Sequence, residues 1–434
     1  MNINDILKST NGKLINNIDL KEKFNKIKIN SKEIEKDDIF IAIIGENHDG
    51  HKYIEEALNK GAKLIITQKE IQTKKPYIIV KDTTVALGDI AHYMIKKYKP
   101  KVIAITGSVG KTTTKDILYN LLKTKYNILT NEKNYNNNIG VPLTIFNLKK
   151  EHEILLLELG MNHPKEITYL SNMINPNISA ITNIGSSHIG YLKTKENILK
   201  AKLEILEGMK EKILFVNGDD NLLKDIKNTH TSGFNKENNL IGYDLESNLY
   251  SSSFKINYKN KEYKINTNLP RHLLNNVLLA VNIALYLNID IKQIQKTLEN
   301  YKSVNMRMDI IKGINNNTII NDCYNSSFES LTGVLKILEK EKQDKILILG
   351  DIKELGNLSK EIHKSLTPYI DNIKNKEVYL VGNEIKNIKT NAKYFKNYDE
   401  LLNYLQNKKI ENKLILIKGS RSMKLENITN YFIN

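Results

Sequence analysis

The chain has 434 residues, 65 basic against 49 acidic side chains, a formal net charge of +16 at pH 7 and a single cysteine, Cys323. One cysteine excludes an internal disulfide and suits a reducing cytosol, and no apolar run approaches the ~20 residues of a membrane helix. The start lacks the basic and apolar segments of a signal peptide, so we expect a cytoplasmic protein without stable membrane insertion.

The positive charge is spread along the chain rather than gathered in one motif. The lysines are scattered over predicted helices with no aromatic residues interleaved, which favours a solvated surface that attracts anionic substrates over a nucleic-acid partner. Only three basic residues are arginine: Arg271, Arg307 and Arg421. Each is a candidate for two-pronged anion binding, although chance placement is equally open.

Three blocks of alternating apolar runs and helical stretches follow one another, at residues 1–98, 99–310 and 311–434. The strands predicted in the first block are residues 39–44, 64–67 and 77–80, with a helix at 53–59. Those of the second are residues 102–106, 154–159, 178–184 and 213–217, and those of the third are 318–321, 346–349, 378–381 and 414–417. The alternation predicts an α/β protein whose central sheet is parallel and covered by helices on both faces. The polar stretch at 228–268 predicts a β-hairpin insertion.

A candidate phosphate-binding loop follows the first strand of the central block. Gly107 and Gly110 let the backbone turn its N–H groups toward an anion, Lys111 supplies a cation for the β- and γ-phosphates, and Thr112 offers a hydroxyl to Mg²⁺. Ile105 occupies the first glycine position of the common longer loop, so the pattern here is the narrower T-G-x-x-G-K-T. The alternative is a strand-to-helix turn without a ligand.

Ligands in parallel α/β sheets gather at the carboxyl ends of strands, so the residues that follow each strand are further candidates. Glu158 could reach Mg²⁺ beside the loop, or be only an ion-paired carboxylate. His188 by itself is equally a hydrogen-bonding loop residue, and Lys202 by itself reads as a solvated helix lysine. Cys323 reads as a small buried hydrophobe.

Three later segments also end strands or begin helices. Residues 271–276 could place an amide near a nucleotide base or simply cap a helix. Residues 321–325 bring Asp, Tyr and Asn together, and residues 418–423 open a helix as a second anion site.

Over nearly its whole length the chain resembles the Mur ligase family of ATP-dependent amide-bond-forming enzymes. The matching segments are residues 106–113, 134–142, 158–162, 188, 201–204, 321–325, 350–356 and 418–423. The last three favour the branch that adds D-alanyl-D-alanine. The resemblance implies three domains: a small α/β UDP-substrate-binding domain at 1–98, an ATP-binding domain with a P-loop-type sheet at 99–310, and a Rossmann-like ligase domain at 311–434.

The resemblance also implies roles for individual residues. ATP would be bound by Gly107, Ser108, Val109, Gly110, Lys111, Thr112, Thr113, Asn276, Arg307, Asp322, Tyr324 and Asn325. Magnesium would be held by Thr112, Glu158, His188 and Lys202. Lys202 would carry a CO₂-derived carbamate, which reverses its interpretation as a solvated helix lysine. Lys111, Lys202 and His188 would be catalytic. Substrate would be bound by Ser31, Lys32, Gly45, Asn47, Asn136, Asn137, Asn138 and Arg421.

Three segments depart from the family pattern. Leu273 replaces the first Asn of the family's His-Asn-x-x-Asn pattern. Ser327-Phe328 stands where the branch usually has Asn-Pro. In the first block, Asn30 and Lys32 replace the Asp and Arg of the usual Asp-Ser-Arg. These departures affect expected affinities more than the reaction class.

The resemblance implies a monomeric ligase that joins D-alanyl-D-alanine to UDP-N-acetylmuramoyl-tripeptide in peptidoglycan precursor synthesis, with ATP cleaved to ADP and phosphate through an acyl phosphate. Two alternatives remain open from the sequence. One is another amide ligase of the superfamily, either a different Mur branch or a folylpolyglutamate-synthase-like enzyme. The other is a nucleotide-switched binding module without catalysis.

Overall fold

The computed structural model describes residues 1–45, 48–132 and 134–433, and three sheets follow one another along the chain. The first has the order β1-β5-β4-β3-β2, in which β1 is antiparallel to β5 and the other pairs are parallel. Its strands are β1 (Lys13–Ile15), β2 (Ile27–Lys28), β3 (Ile39–Ile41), β4 (Leu64–Thr67) and β5 (Tyr77–Ile79). Its helices are α1 (Ile3–Thr10), α2 (Ile54–Asn59) and α3 (Thr83–Tyr98).

Helix α3 ends the first block for local reasons. The Asp82 side chain accepts the N–H groups of Thr84 and Val85 and so caps its start. Lys99 takes a left-handed conformation at φ 53°, and Pro100 cannot continue the helix.

The second sheet has nine strands in the order β14-β13-β12-β11-β10-β9-β6-β8-β7. They are β6 (Lys101–Thr106), β7 (Ile128–Thr130), β8 (Ile154–Glu158), β9 (Ile178–Ile181), β10 (Leu214–Asn217), β11 (His230–Gly233), β12 (Leu240–Ser247), β13 (Ser252–Tyr258) and β14 (Lys261–Thr267). Strands β6 to β12 pair in parallel, and β12 to β14 form the antiparallel hairpins predicted for the polar insertion.

Helices cover both faces of this sheet, as the alternation predicts. They are α4 (Lys111–Leu122), α5 (Gly140–Ile145), α6 (Glu166–Ile174), α7 (Ile189–Leu192), α8 (Lys195–Leu203), α9 (Leu274–Tyr286) and α10 (Ile291–Glu299). One core packs α4 and α9 against the sheet, and the other packs α6 and α8 against its opposite face. All five residues of β8 are buried, which is why its sequence is an unbroken apolar run up to Glu158.

The third sheet has the order β15-β16-β20-β17-β18-β19 and is parallel except for the β15–β16 pair. Its strands are β15 (Asp309–Lys312), β16 (Thr318–Asn321), β17 (Lys345–Gly350), β18 (Lys376–Val381), β19 (Lys393–Phe395) and β20 (Leu414–Lys418). Its helices are α11 (Phe328–Leu338), α12 (Ser359–Lys364), α13 (Thr367–Asp371), α14 (Tyr398–Gln406) and α15 (Glu426–Ile433).

Two predicted strands are too long by three residues: β3 ends at Ile41 rather than residue 44, and β9 ends at Ile181 rather than residue 184. The chain leaves the sheet at the end of β9 because Thr182 turns its hydroxyl to the Val109 carbonyl at 2.5 Å, so the next residues contact the loop before α4. In the described residues, we find no helix that is both long enough and apolar enough to span a membrane.

Candidate active site

The carboxyl ends of the second and third sheets face each other across a cavity of about 820 Å³. The loops after β6, β8, β9 and β10 line one side, and those after β16, β17 and β20 line the other. Strand ends are where open α/β sheets place their ligands, so the cavity is the candidate site.

The candidate phosphate loop, residues 107–113, joins β6 to α4 and contains two glycines that no other residue type could replace without strain. Gly107 has φ 145°, and a Cβ there would lie 1.9 Å from Thr182 Oγ1. Gly110 has φ 83°, and a Cβ there would lie 2.5 Å from Asn276 Oδ1. The second contact places Asn276, as predicted, directly against the loop.

Lys111 folds back over this loop. Its Nζ donates to the Gly107 carbonyl at 2.8 Å and the Ser108 carbonyl at 3.3 Å, and burial lowers its pKa. Asn183 accepts the N–H groups of Ser108 at 3.0 Å and Val109 at 2.8 Å. The donors left to face an anion are therefore those of the first turn of α4, which have no partner inside the helix.

Glu158 and Thr112 form a hydroxyl–carboxylate pair beside the loop. Thr112 Oγ1 donates to Glu158 Oε2 at 2.7 Å, and Asn136 Nδ2 donates to Oε1 at 2.9 Å. Burial pushes the pKa of Glu158 upward, but Lys111, the Thr112 hydroxyl and Arg307 together hold that pKa below its ordinary value. A carboxylate kept ionised next to a hydroxyl is suited to a hard divalent cation.

Lys202 is fully buried, so the interpretation of it as a solvated lysine is wrong. Its Nζ has no hydrogen-bond partner in the part of the chain that the structure describes. Burial and the nearby Lys111 ammonium place its pKa well below the ordinary value. Burial therefore favours the neutral amine, which is the form that reacts with electrophiles such as CO₂.

His188 connects the two sides of the cavity. It stands at φ 65° just before α7, and its Nδ1 lies 2.7 Å from Glu354 Oε2 in the loop after β17. The Gly190 N–H donates to the Glu354 carbonyl at 3.1 Å. Burial lowers the pKa of His188, which favours the neutral imidazole.

The third sheet contributes Arg307, Asp322, Tyr324, Asn325 and Arg421 to the cavity lining. The Arg307 guanidinium lies 4.1 Å from the centre of the Tyr324 ring, which is a cation–π contact. The Arg421 side chain is half-exposed and pairs with Glu426 at 2.8 Å.

Sequence reasoning gave no role to two residues of the site, Lys418 and Glu329. The buried Lys418 Nζ donates to Asp322 Oδ2, and the Met308 N–H donates to Oδ1 at 3.1 Å, so that carboxylate is fixed from both sides. Glu329 accepts the N–H of Ser186 at 2.8 Å and its hydroxyl at 2.9 Å. Lys418 lies in a motif that the sequence singled out, whereas no local signal marks Glu329.

Several predicted residues do not line the cavity. Gly107 and Lys202 lie beneath its surface, and Asn137 instead caps α5 by accepting the Ile139 and Gly140 N–H groups; its neighbour Asn138 is also outside the lining. Ser31, Lys32 and Gly45 belong to the first sheet's region, where the Ser31 hydroxyl donates to Glu56 at 2.7 Å. Asn47 lies outside the described residues. Cys323 is buried, and burial raises its pKa to about 12, so it is inert.

A phosphate loop at the ends of one parallel sheet, facing the ends of a second across a shared cavity, defines a multidomain α/β nucleotide-binding protein. Three family models match the chain in succession: "Mur ligase family, catalytic domain" at residues 23–106, "Mur ligase middle domain" at 105–284 and "Mur ligase, glutamate ligase domain" at 306–421. The chain belongs to the Mur ligase family.

Individual relatives are similar over most of their length. The UDP-N-acetylmuramoyl-tripeptide--D-alanyl-D-alanine ligase of Buchnera aphidicola subsp. Baizongia pistaciae is 36% identical over 410 residues, which cover 91% of this chain and 89% of that protein. A crystal structure of MurF from Acinetobacter baumannii matches with a TM-score of 0.91 and 27% identity over 99% of this chain and 98% of that one. MurF ligase from Thermotoga maritima in complex with ADP matches with a TM-score of 0.85 and 28% identity over 94% of this chain and 97% of that one.

Proposed function

We propose that the chain is a cytoplasmic, ADP-forming ligase that adds D-alanyl-D-alanine to UDP-N-acetylmuramoyl-tripeptide in peptidoglycan precursor synthesis. The names of its relatives and the ADP bound by one of them support the substrates and the nucleotide. The observation in the structure that carries the proposal is the cavity itself, which joins a phosphate loop to a second sheet bearing Arg421. A non-catalytic nucleotide-binding module would not need that second wall.

Each domain has a proposed part. Residues 1–98 bind the uridine nucleotide through Ser31, Lys32, Gly45 and Asn47, residues 99–310 bind ATP, and residues 311–434 bring the dipeptide. The tripeptide reaches across to Asn136, and Arg421 grips the dipeptide carboxylate. We propose that one chain suffices for the reaction.

The reaction proceeds in two displacements. A carboxylate oxygen of the tripeptide forms a bond to the γ-phosphorus of ATP, the bond to the β–γ bridging oxygen breaks, and ADP leaves. The free amine of the dipeptide then attacks the carbonyl carbon of the acyl phosphate, loses a proton, and expels inorganic phosphate to leave the amide. The carboxylate and the triphosphate are both negatively charged and repel each other. Lys111 and the N-terminal turn of α4 offset this repulsion and stabilise the charge that develops on the phosphoryl oxygens.

The donors present fit a divalent cation. Among the described residues no three His, Cys, Asp or Glu side chains cluster as a metal site. The proposed set of magnesium ligands therefore consists of the Thr112 hydroxyl, Glu158 and His188, together with a carbamate on Lys202. The Lys202 amine is suited to that modification because it is buried and has no partner among the described residues. Magnesium, when bound, supplies charge neutralisation at the phosphates.

Phosphate release measured with ATP and UDP-N-acetylmuramoyl-tripeptide tests the proposal. D-alanyl-D-alanine should be strongly preferred over L-alanine, D-glutamate and a diamino acid, and folate should not replace the muropeptide. Preference for another acceptor would overturn the branch, and nucleotide binding without phosphate release would overturn catalysis.

A further inference from the structure

The backbone pairing of strand β7 with β8 ends at Thr130. The side chain of the next residue, Asn131, then makes the hydrogen bonds to β8 that the backbone no longer makes. Asn131 Oδ1 accepts the Glu158 N–H at 2.9 Å, and Asn131 Nδ2 donates to the Glu158 carbonyl at 2.9 Å. The same Nδ2 group donates to the Tyr135 carbonyl at 2.8 Å. One buried amide therefore holds the backbone of Glu158 at the point where its carboxylate enters the cavity.

The Asn131 carbonyl is bound in turn by Lys115, one helical turn beyond Lys111 on α4. Lys115 is only 6% exposed, and its Nζ donates to that oxygen. Because the ladder has ended, no other described residue donates to this buried carbonyl, and a buried carbonyl without a partner is unfavourable. Burial lowers the pKa of Lys115, and its positive charge is one of those that keep Glu158 ionised.

We propose that Lys115 is a positioning residue for Glu158 that acts through Asn131 and thereby sets the enzyme's affinity for magnesium. The proposal rests on the proposed function for the metal role of Glu158. Lys115 itself is not among the residues that line the cavity, and its hydrogen bond to Asn131 is the route by which we propose that it orients Glu158. Partners that orient a metal ligand from behind typically change metal affinity about 10- to 100-fold when removed.

The test is calorimetric titration of Mg²⁺ into the full-length enzyme–ADP complex, without tripeptide or dipeptide. Lys115→Met should weaken Mg²⁺ binding about tenfold, whereas affinity for ADP without Mg²⁺ should change less than threefold. Lys123→Met is the matched control, because Lys123 is exposed at the end of the same helix. A folded Lys115→Met variant that binds Mg²⁺ within threefold of the wild type would overturn the proposal.

The route through Asn131 is tested by combining substitutions. If Lys115 acts through Asn131, Lys115→Met adds little to Asn131→Ala, and the double variant should bind Mg²⁺ within twofold of Asn131→Ala alone. If the losses of Mg²⁺ affinity in the two single variants multiply in the double variant, this route is overturned. Should Lys115→Met fail to unfold cooperatively, Lys115→Leu carries the same test, because it also removes the N–H donor to the Asn131 carbonyl.

These outcomes are separable from the proposed function. Wild-type enzyme that binds Mg²⁺ and ADP but does not ligate D-alanyl-D-alanine contradicts the assigned substrates and leaves the role of Lys115 standing. Normal ligation together with an unchanged Mg²⁺ affinity in Lys115→Met contradicts the role of Lys115 alone.

Discussion

Replacing Lys202 with methionine should stabilise the protein and inactivate it at the same time. The amine is fully buried without a partner among the described residues, and such a group costs about 1–3 kcal/mol that an apolar side chain of similar shape does not. Lys202→Met should therefore raise the free energy of unfolding by at least about that amount at pH 7 in buffer free of bicarbonate. Turnover should fall at least about 100-fold, since the metal would lose the oxygen ligand that we propose for a carbamate on Lys202.

The stability that Lys202→Met adds should depend on pH in a defined direction. The pKa of Lys202 is lowered in the folded state, so the unfolded chain binds the extra proton between that lowered pKa and the ordinary value of 10.5. Stability of the wild type from this group therefore rises with pH through that window, by up to about 1.4 kcal/mol per pH unit. The advantage of Lys202→Met should be largest at the acidic end and shrink as the pH approaches 10.5.

Urea denaturation at pH 7, 8 and 9 measures this difference, with Lys200→Met as the control because Lys200 is exposed on the same helix. Bicarbonate should stabilise the wild type, which it modifies in the folded state, and leave Lys202→Met unchanged. A short carboxylic acid should partly restore turnover to Lys202→Ala. Parallel pH profiles for wild type and Lys202→Met, together with no response to bicarbonate, would refute the reasoning.

Three further substitutions test individual side chains. Lys111→Ala should lower turnover about 100- to 1000-fold with an unchanged melting temperature, because its Nζ bonds only carbonyls of its own loop; activity within a few-fold of wild type would contradict the phosphate role. Thr112→Val should raise the Mg²⁺ concentration for half-maximal turnover about tenfold, and Thr112→Ser should restore it, because only the hydroxyl reaches Glu158. Arg421→Lys should raise KM for D-alanyl-D-alanine about tenfold while ADP affinity changes less than twofold, since lysine lacks the two-pronged grip on a carboxylate; equal losses in both would count against a dipeptide role.

The strands were predictable because buried parallel strands leave unbroken apolar runs. Residues 64–67 and 318–321 are strands with the bounds that their sequence predicts. The overshoot at residues 182–184 arose because Ile184 is apolar and buried, yet it is buried in a loop rather than in the sheet.

The candidate site was predictable only where a motif is local. The sequence of 107–113 contains its own turn, helix start and cation. Lys202 lies between polar neighbours, and only packing of α8 against the sheet shows that it is buried. Glu329 and Ser186 are 143 positions apart, and Lys418 and Asp322 are 96 apart, so no local pattern could reveal either contact.

The loop after β9 has a consequence for the timing of catalysis. Asn183 supports the phosphate loop, whereas Ser186 and Gly190, a few residues further on, are held by Glu329 and Glu354 of the third sheet. Withdrawal of the third sheet would release the segment that carries His188, whereas the hydrogen bonds between Asn183 and the phosphate loop would remain. If His188 holds the metal as we propose, ATP that binds before the acceptor side closes should be hydrolysed only slowly.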